Sequence, residues 1–196
     1  MQRVFLALWL FVVSPLSLGA SSALWITGDI RGSLLPCLQC PESSKPGLAR
    51  QLGVMQEVAV DGIWLDAGGF LDGGEVDVLG IGESLALAEA LGMQALHLTW
   101  RDVSPALLEA LPGTSLPLIS ASLFNAEGAP LVAPSQVVEQ QGQRIGVIGI
   151  SGVPSGYRDL PAWQAFDETF QLREAGEALG DALDALPGDL DRVLVL

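Results

Sequence analysis

Short apolar runs alternate along the chain with longer segments whose apolar positions recur at helical spacing, and this alternation predicts a β-α-β order. The predicted strands are Ala23–Thr27, Gly62–Asp66, Ala95–Leu98, Leu116–Leu123, Leu131–Val138 and Arg192–Leu196. The predicted helices are Gly47–Val60, Leu79–Leu91, Pro105–Leu111 and Asp167–Leu186. A polar turn at Gly142 predicts a β-hairpin over Val137–Ile150. Because helices alternate with strands of the buried type, the pattern indicates an α/β fold with a mostly parallel sheet flanked by helices.

Residues 1–22 have the pattern of a secretory signal peptide. Arg3 precedes the apolar run Val4–Val13, and small residues follow at Gly19–Ser22. The run is shorter than the roughly 20 residues that span a bilayer, which makes an uncleaved anchor the weaker interpretation. We therefore expect an exported protein, periplasmic or extracellular, with no stable membrane insertion after cleavage and with one domain at residues 23–196.

Charge and composition exclude several classes of function. The chain has 9 Lys and Arg against 23 Asp and Glu, a net charge of −14, so it has no basic surface for nucleic acid. One histidine and two cysteines are too few for a zinc cluster or a histidine-rich metal centre built by this chain alone.

Polar residues follow three of the predicted strands directly, in the segments Thr27–Gly32, Leu65–Gly69 and Leu98–Asp102. In sheets of this class the residues just beyond the carboxyl ends of the strands form the functional site. We therefore expect Asp29, Asp66 and Arg101 to converge at one edge of the sheet.

These segments resemble motifs of the calcineurin-like metallophosphoesterases, specifically of the N-terminal catalytic domain of 5'-nucleotidases. That family reads T-N-D-x-H-G, L-D-A-G-D and L-G-x-D-A-x-x-L-G-N-H-E after its first three strands, and the matching runs are Thr27–Gly32, Leu65–Gly69 and Leu91–Asp102. Later P-x-L-S-A-N-L and G-x-x-I-G-V-I-G-L patterns match Pro117–Leu123 and Gly142–Ile150. The resemblance implies a metallophosphoesterase-like layered sandwich. It also implies a domain that is truncated, incomplete at its C-terminal end, because the family's remaining ligand histidines follow the strand matching Val193–Leu196.

The family's site residues are replaced at most of the matching positions. Asp29 is kept, whereas Arg31 stands for the first histidine, Gly69 for the bridging aspartate, Trp100 for the asparagine and Arg101 for the catalytic histidine; Asp66 and Asp102 lie beside them. A guanidinium stays protonated and cannot bind a cation. The resemblance therefore implies a degenerate site with unknown catalytic residues, no metal ligands and no expected cofactor. His97 matches a non-ligand position inside the third strand, where a hydrogen-bonded structural role is expected.

The two arginines have two interpretations. In the first, Arg31 and Arg101 neutralise neighbouring aspartates and hold the loops together. In the second, they bind a small anion by bidentate contacts, helped by glycines at 28, 32, 68 and 69 that allow close approach of the backbone.

Cys37 and Cys40 are the other chemical candidate. Residues 41–46 separate them from the next predicted helix, so no helix N-terminus is predicted to lower a thiol pKa. A structural disulfide is the first interpretation, a labile redox pair the second, and a metal site that needs ligands from another chain the third.

The resulting hypothesis is an exported, non-hydrolytic or impaired relative of 5'-nucleotidases that serves as a binding or accessory module, whose partner is an unidentified protein or a small anionic ligand. One alternative is a phosphoester or nucleotide hydrolase with altered ligands, which needs a divalent metal pair (Mn, Zn or Fe). A second alternative is a thiol-redox accessory protein using Cys37 and Cys40. The apolar strand ending at Leu196 is expected to expose an edge that favours association.

Overall fold

The computed structural model describes residues 23–33, 47–58, 62–71, 80–153 and 155–196. The predicted signal peptide and the two cysteines lie outside these residues. The strands within them are β1 Ala23–Thr27, β2 Gly62–Asp66, β3 Ala95–His97, β4 Leu118–Ile119, β5 Leu123–Asn125, β6 Ser135–Gln140, β7 Gln143–Ile148, β8 Phe170–Leu172 and β9 Arg192–Val195. The helices are α1 Gly47–Val58, α2 Ile81–Ala90, α3 Pro105–Ala110, α4 Pro161–Asp167 and α5 Ala175–Asp184, with 3₁₀ turns at Leu111–Gly113 and Ser155–Tyr157.

Strands β1 to β4 form a four-stranded sheet in sequence order, and every pair in it is parallel. Trp64 and Leu96 belong to the core cluster that includes helix residues, whereas Leu65 and Ala95 pack in a second cluster against another sheet. The central strands are therefore buried on both faces, which explains their continuous apolar runs. The expectation of a mostly parallel sheet flanked by helices is confirmed.

The second sheet has the order β6-β7-β9. Strands β6 and β7 form the predicted hairpin, and β9 pairs in parallel with β7. The turn residues Gln141 and Gly142 have φ angles of 51° and 79°, which suits the twist of a tight two-residue turn. Helix α5 packs behind this sheet, so the layers run helix, sheet, sheet, helix.

Two predicted strands differ from the structure. The segment predicted as one strand at Leu116–Leu123 contains β4 and the first residue of β5, and the two strands belong to different sheets. Between them the backbone N–H groups of Ser120 and Ala121 donate to Ala133 and Gly149, which lie outside the first sheet. The strand predicted at Leu131–Val138 begins only at residue 135.

The single helix predicted at Asp167–Leu186 is wrong. Helix α4 ends at Asp167, and β8 follows and pairs antiparallel with β5. Helix α5 then begins after Glu174, whose side chain accepts a hydrogen bond from the Glu177 N–H and caps the helix. The pairing of β8 with β5 therefore separates two helices, α4 and α5.

Apolar side chains are exposed on an outer strand of the four-stranded sheet and on an outer strand of the β6-β7-β9 sheet. Leu24 and Ile26 on β1 are 45% and 49% exposed, and Val193 and Val195 on β9 are 45% and 46% exposed. Strand β9 lies at the end of its sheet in the part of the chain that the structure describes. None of the helices seen there is long and apolar enough to cross a membrane.

Candidate functional site

The loops that follow β1, β2 and β3 meet at the carboxyl edge of the parallel sheet. We call residues 28–33, 66–71 and 98–102 the rim. The Asp29 N–H donates to the Gly68 carbonyl at 2.8 Å, and the Gly69 N–H donates to Asp102 Oδ2 at 3.1 Å. The structure therefore brings the loops of all three strands into direct contact, as parallel strands require.

The loop after β1 has an unusual backbone. Asp29 and Arg31 have φ angles of 55° and 54°, in the left-handed region that costs an ordinary residue roughly 1–2 kcal/mol. Two further hydrogen bonds of 2.8 Å, from Arg31 N–H to Gly69 and from Gly32 N–H to Phe70, hold the loop in this shape. The first loop is thus shaped by the second.

Asp29, the retained family position, contacts the arginine two residues away. Arg31 Nε donates to Asp29 Oδ1 at 2.6 Å, and the two side chains are 38% and 57% exposed, respectively. An exposed pair of this kind adds less than about 1 kcal/mol to stability. Its effect on metal binding is larger, because it places the permanent positive charge of Arg31 beside the carboxylate.

Asp66 is fully buried at the end of β2. Its carboxylate accepts hydrogen bonds from the Thr27 hydroxyl at 2.6 Å and from the Gly68 N–H at 2.8 Å. The pKa of Asp66 is raised from 3.8 to about 7, mainly by burial and to a smaller extent by the charge of Asp102, while the two hydrogen bonds oppose the change. The Asp66 carboxyl therefore holds its proton to a much higher pH than an ordinary aspartate does.

Asp102 is buried and acts as a staple between two loops. Its Oδ2 accepts from the Thr99 N–H at 2.8 Å, from the Thr99 hydroxyl at 2.7 Å and from Gly69, and its Oδ1 accepts from the Leu71 N–H at 2.9 Å. This carboxylate is engaged on both oxygens by the protein itself.

Gly69, which the resemblance matches to a bridging aspartate, lies against the first loop. Its φ is +69°, and a Cβ added to it would lie 3.3 Å from the Cα of Asp29. A side chain at this position would therefore need both a left-handed backbone and a small shift of the neighbouring loop.

Trp100 and Arg101 belong to an aromatic cluster. Trp100 is buried and makes edge-to-face contacts with Trp163, Phe166 and Tyr157 at ring-centroid distances of 5.4, 6.4 and 6.3 Å. The Arg101 guanidinium carbon lies 5.6 Å from the Trp100 ring centroid and 5.4 Å from that of Tyr157. No ion pair joins Arg101 to a carboxylate within the described ranges, so the aspartate pairing considered for this arginine is not found there.

His97 is buried in β3 and bonded at both ring nitrogens. Nδ1 lies 3.1 Å from the Ala67 carbonyl, and Nε2 lies 3.1 Å from the Ser151 hydroxyl. Burial lowers the pKa of His97 below 6.5, while the Ala67 contact and the charge of Asp102 oppose the change. Its structural role agrees with expectation, but Ser151 was not anticipated. Gly149 could have indicated that this segment packs against His97, because a Cβ at position 149 would collide with the His97 ring.

The side chains of the rim do not fit the metal pair that the resemblance implies. No three His, Cys, Asp or Glu side chains are grouped to hold a metal ion in the portion of the chain that is described. More directly, Asp29 is bonded to a guanidinium, and Asp66 and Asp102 receive hydrogen bonds from the protein. The Arg31 charge beside Asp29 repels a cation, and the buried Asp66 and Asp102 hold N–H and hydroxyl groups of the loops, so these carboxylates do not form the ligand set of a dimetal centre.

Comparison with solved structures shows the fold. A calcineurin-like phosphoesterase, YfkN from Bacillus subtilis, matches 88% of this chain with a TM-score of 0.64 at 17% identity. A putative 5'-nucleotidase from Staphylococcus aureus matches 89% with a TM-score of 0.66 at 16% identity. A 5'-nucleotidase precursor from Thermus thermophilus matches 88% with a TM-score of 0.64 at 23% identity.

The chain spans only part of these proteins, covering 60%, 36% and 36% of their respective lengths. No protein-family model matches the sequence, and a search of curated proteins found no match. The metallophosphoesterase-like fold inferred from the motifs is confirmed.

Proposed function

We propose that this chain is an exported binding or accessory module that keeps the metallophosphoesterase-like fold without its hydrolytic chemistry. The observation that carries the proposal is the use of the rim carboxylates. Asp29 bonds to Arg31, and Asp66 and Asp102 accept hydrogen bonds from hydroxyl and backbone N–H groups inside the protein. A cation at the rim would be repelled by Arg31 beside Asp29 and would disturb the hydrogen bonds that Asp66 and Asp102 accept. Export is supported by the N-terminal sequence pattern and by the precursor name of the Thermus neighbour.

Charge also supports binding of an anion rather than a metal. Arg31 and Arg101 carry permanent positive charge at positions where the resemblance implies neutral imidazoles. The rings of Trp100 and Tyr157 hold the Arg101 guanidinium in place, and a guanidinium held in this way can still donate to a carboxylate or similar anion. The net charge of −14 favours a small, singly charged anion over a phosphate-rich one. A protein that contacts the apolar side chains of β1 and β9 is the other partner class.

A hydrolysis screen of the purified chain tests the proposal. The substrates are a phosphodiester and a set of nucleotides, each with manganese, zinc or iron in excess. We expect no metal-dependent turnover. The competing function, a hydrolase with altered ligands, predicts turnover that is lost in Asp29→Asn and kept in Asp159→Asn, which removes an exposed carboxylate elsewhere.

A double reversion tests the cause of the lost chemistry. Arg31→His with Gly69→Asp restores the family residues at two positions, and we expect the variant to lose stability because Gly69 has a left-handed backbone close to Asp29. We expect no turnover from it, since Trp100 and Arg101 remain. Metal-dependent turnover in the parent chain would overturn the proposal.

A further inference from the structure

A second cleft lies away from the rim, between β5, the end of β4 and helix α5. It has a cavity volume of about 170 Å³ and opens to solvent. Phe124, Pro130 and Pro134 form apolar walls, and the small side chains of Ala178 and Ala182 line the side formed by α5. None of the rim residues lines this cleft, so the inference does not depend on the proposed function.

Ser120 lines the cleft and has an unsatisfied hydroxyl. The residue is 1% exposed, and its Oγ has no hydrogen-bond partner among the residues that the structure describes, although its backbone N–H donates to the Ala133 carbonyl at 2.8 Å. A buried polar group without a partner costs about 1–3 kcal/mol. Ser122, two residues later, is satisfied, because its hydroxyl accepts from the Ser151 N–H at 2.8 Å. A ligand that reaches the Ser120 hydroxyl through the cleft would relieve this cost.

Opposite charges stand side by side in the same cleft. Arg173 Nη1 donates to Asp181 Oδ2 at 2.7 Å, and the Arg173 guanidinium carbon lies 5.3 Å from the Phe124 ring centroid. Both side chains are partly exposed, at 42% and 67%. A guanidinium has five N–H donors and a carboxylate about four acceptor positions, so this contact leaves capacity on both groups.

These features together select one class of ligand. A lone carboxylate would be repelled by Asp181 and by the net charge of −14, and a lone cation would be repelled by Arg173. A zwitterion meets both charges without separating the pair. We propose that the cleft binds a free amino acid, with its α-carboxylate on Arg173, its α-ammonium on Asp181 and its side chain among the apolar walls toward Ser120.

Calorimetric titration of the full chain with the common amino acids, each at millimolar concentration, tests this proposal. We expect at least one to bind, and its N-acetyl and α-amide derivatives to bind about tenfold or more weakly, since each loses one charge-assisted contact. Arg173→Gln and Asp181→Asn should weaken binding by a similar factor. Arg144→Gln, which removes an arginine of comparable exposure from a different ion-pair group, should leave binding unchanged.

The orphan hydroxyl supplies a separate readout. Ser120→Ala should leave the free protein equally stable or more stable, whereas Ser122→Ala should destabilise it. Within the pairs tyrosine and phenylalanine, or threonine and valine, we expect any preference for the hydroxylated member to vanish in Ser120→Ala. Absence of binding by every amino acid, equal binding of the blocked derivatives, or binding unaffected by Arg173→Gln would each overturn the proposal.

Discussion

Replacing Asp66 with asparagine should make the protein more stable at high pH and remove a specific pH dependence. The carboxyl is fully buried, and its pKa rises from 3.8 to about 7 mainly because burial disfavours the charge. That difference corresponds to a cost of about 4 kcal/mol for the ionised form in the folded state. The amide of Asp66→Asn can accept from Gly68 and donate to the Thr27 hydroxyl, whose hydrogen then faces the Leu65 carbonyl at 3.4 Å.

The sign of the effect follows from proton binding. Between pH 4 and pH 7 the folded state holds a proton on Asp66 that the unfolded state has released, so the free energy of unfolding falls as pH rises through this window. Above about pH 7 both states are ionised and the slope ends. Urea unfolding of the parent and of Asp66→Asn across this range measures the difference between their free energies.

The variant should match the parent near pH 4 and exceed it by about 2–4 kcal/mol at pH 8. His97 changes charge in the same range with the opposite sign, since stability is lost as pH falls below 6.5 toward its lowered pKa, but it is present in both proteins and cancels. Asp159→Asn removes an exposed carboxylate and serves as the control for net charge. A difference between Asp66→Asn and the parent that does not change with pH would refute the reasoning.

Three further outcomes are expected. Gly68→Ala should lower the free energy of unfolding by about 2 kcal/mol, because the φ of Gly68 is +109° and a Cβ would meet the methyl group of a neighbouring threonine. Gly180→Ala, on the exposed face of α5, should raise the free energy of unfolding by about 0.5–1 kcal/mol. Equal effects of the two substitutions in urea unfolding would contradict this prediction. Asp102→Ala should cost about 3 kcal/mol or more in the same assay, since backbone N–H groups from two loops lose their acceptor, and a neutral result would be inconsistent with its role. Mass spectrometry of non-reduced protein from its natural compartment should find two hydrogens missing from Cys37 and Cys40, and two free thiols would contradict the predicted disulfide.

Local sequence predicts those strands that are buried along their whole length. Strands β2 and β3 are buried on both faces and read as continuous apolar runs, and the hairpin is marked by its Gln141-Gly142 turn. Strand β8 was missed because its three residues gain their structure from pairing with β5, which is distant in sequence. Apolar positions at 175, 178, 179 and 182 have helical spacing, and the predicted helix extended this pattern back over β8 to Asp167.

The same distinction applies to the rim. Its residues could be located from sequence because they follow parallel strands directly. Their contacts could not, since Asp102 accepts from N–H groups of another loop, and Arg101 contacts Tyr157, which the chain reaches only after the β6–β7 hairpin. The orphan Ser120 hydroxyl likewise could not be predicted from sequence, because it depends on which polar groups lie within hydrogen-bond distance in the folded chain.

Equilibrium dialysis of the purified chain against manganese, followed by elemental analysis, tests the central claim most directly. The claim is that the rim uses its carboxylates to hold its own loops and Arg31. We expect manganese at the background of the dialysis buffer, equal in the parent and in Asp29→Asn. A stoichiometric pair of manganese ions in the parent, lost in Asp29→Asn, would contradict the account.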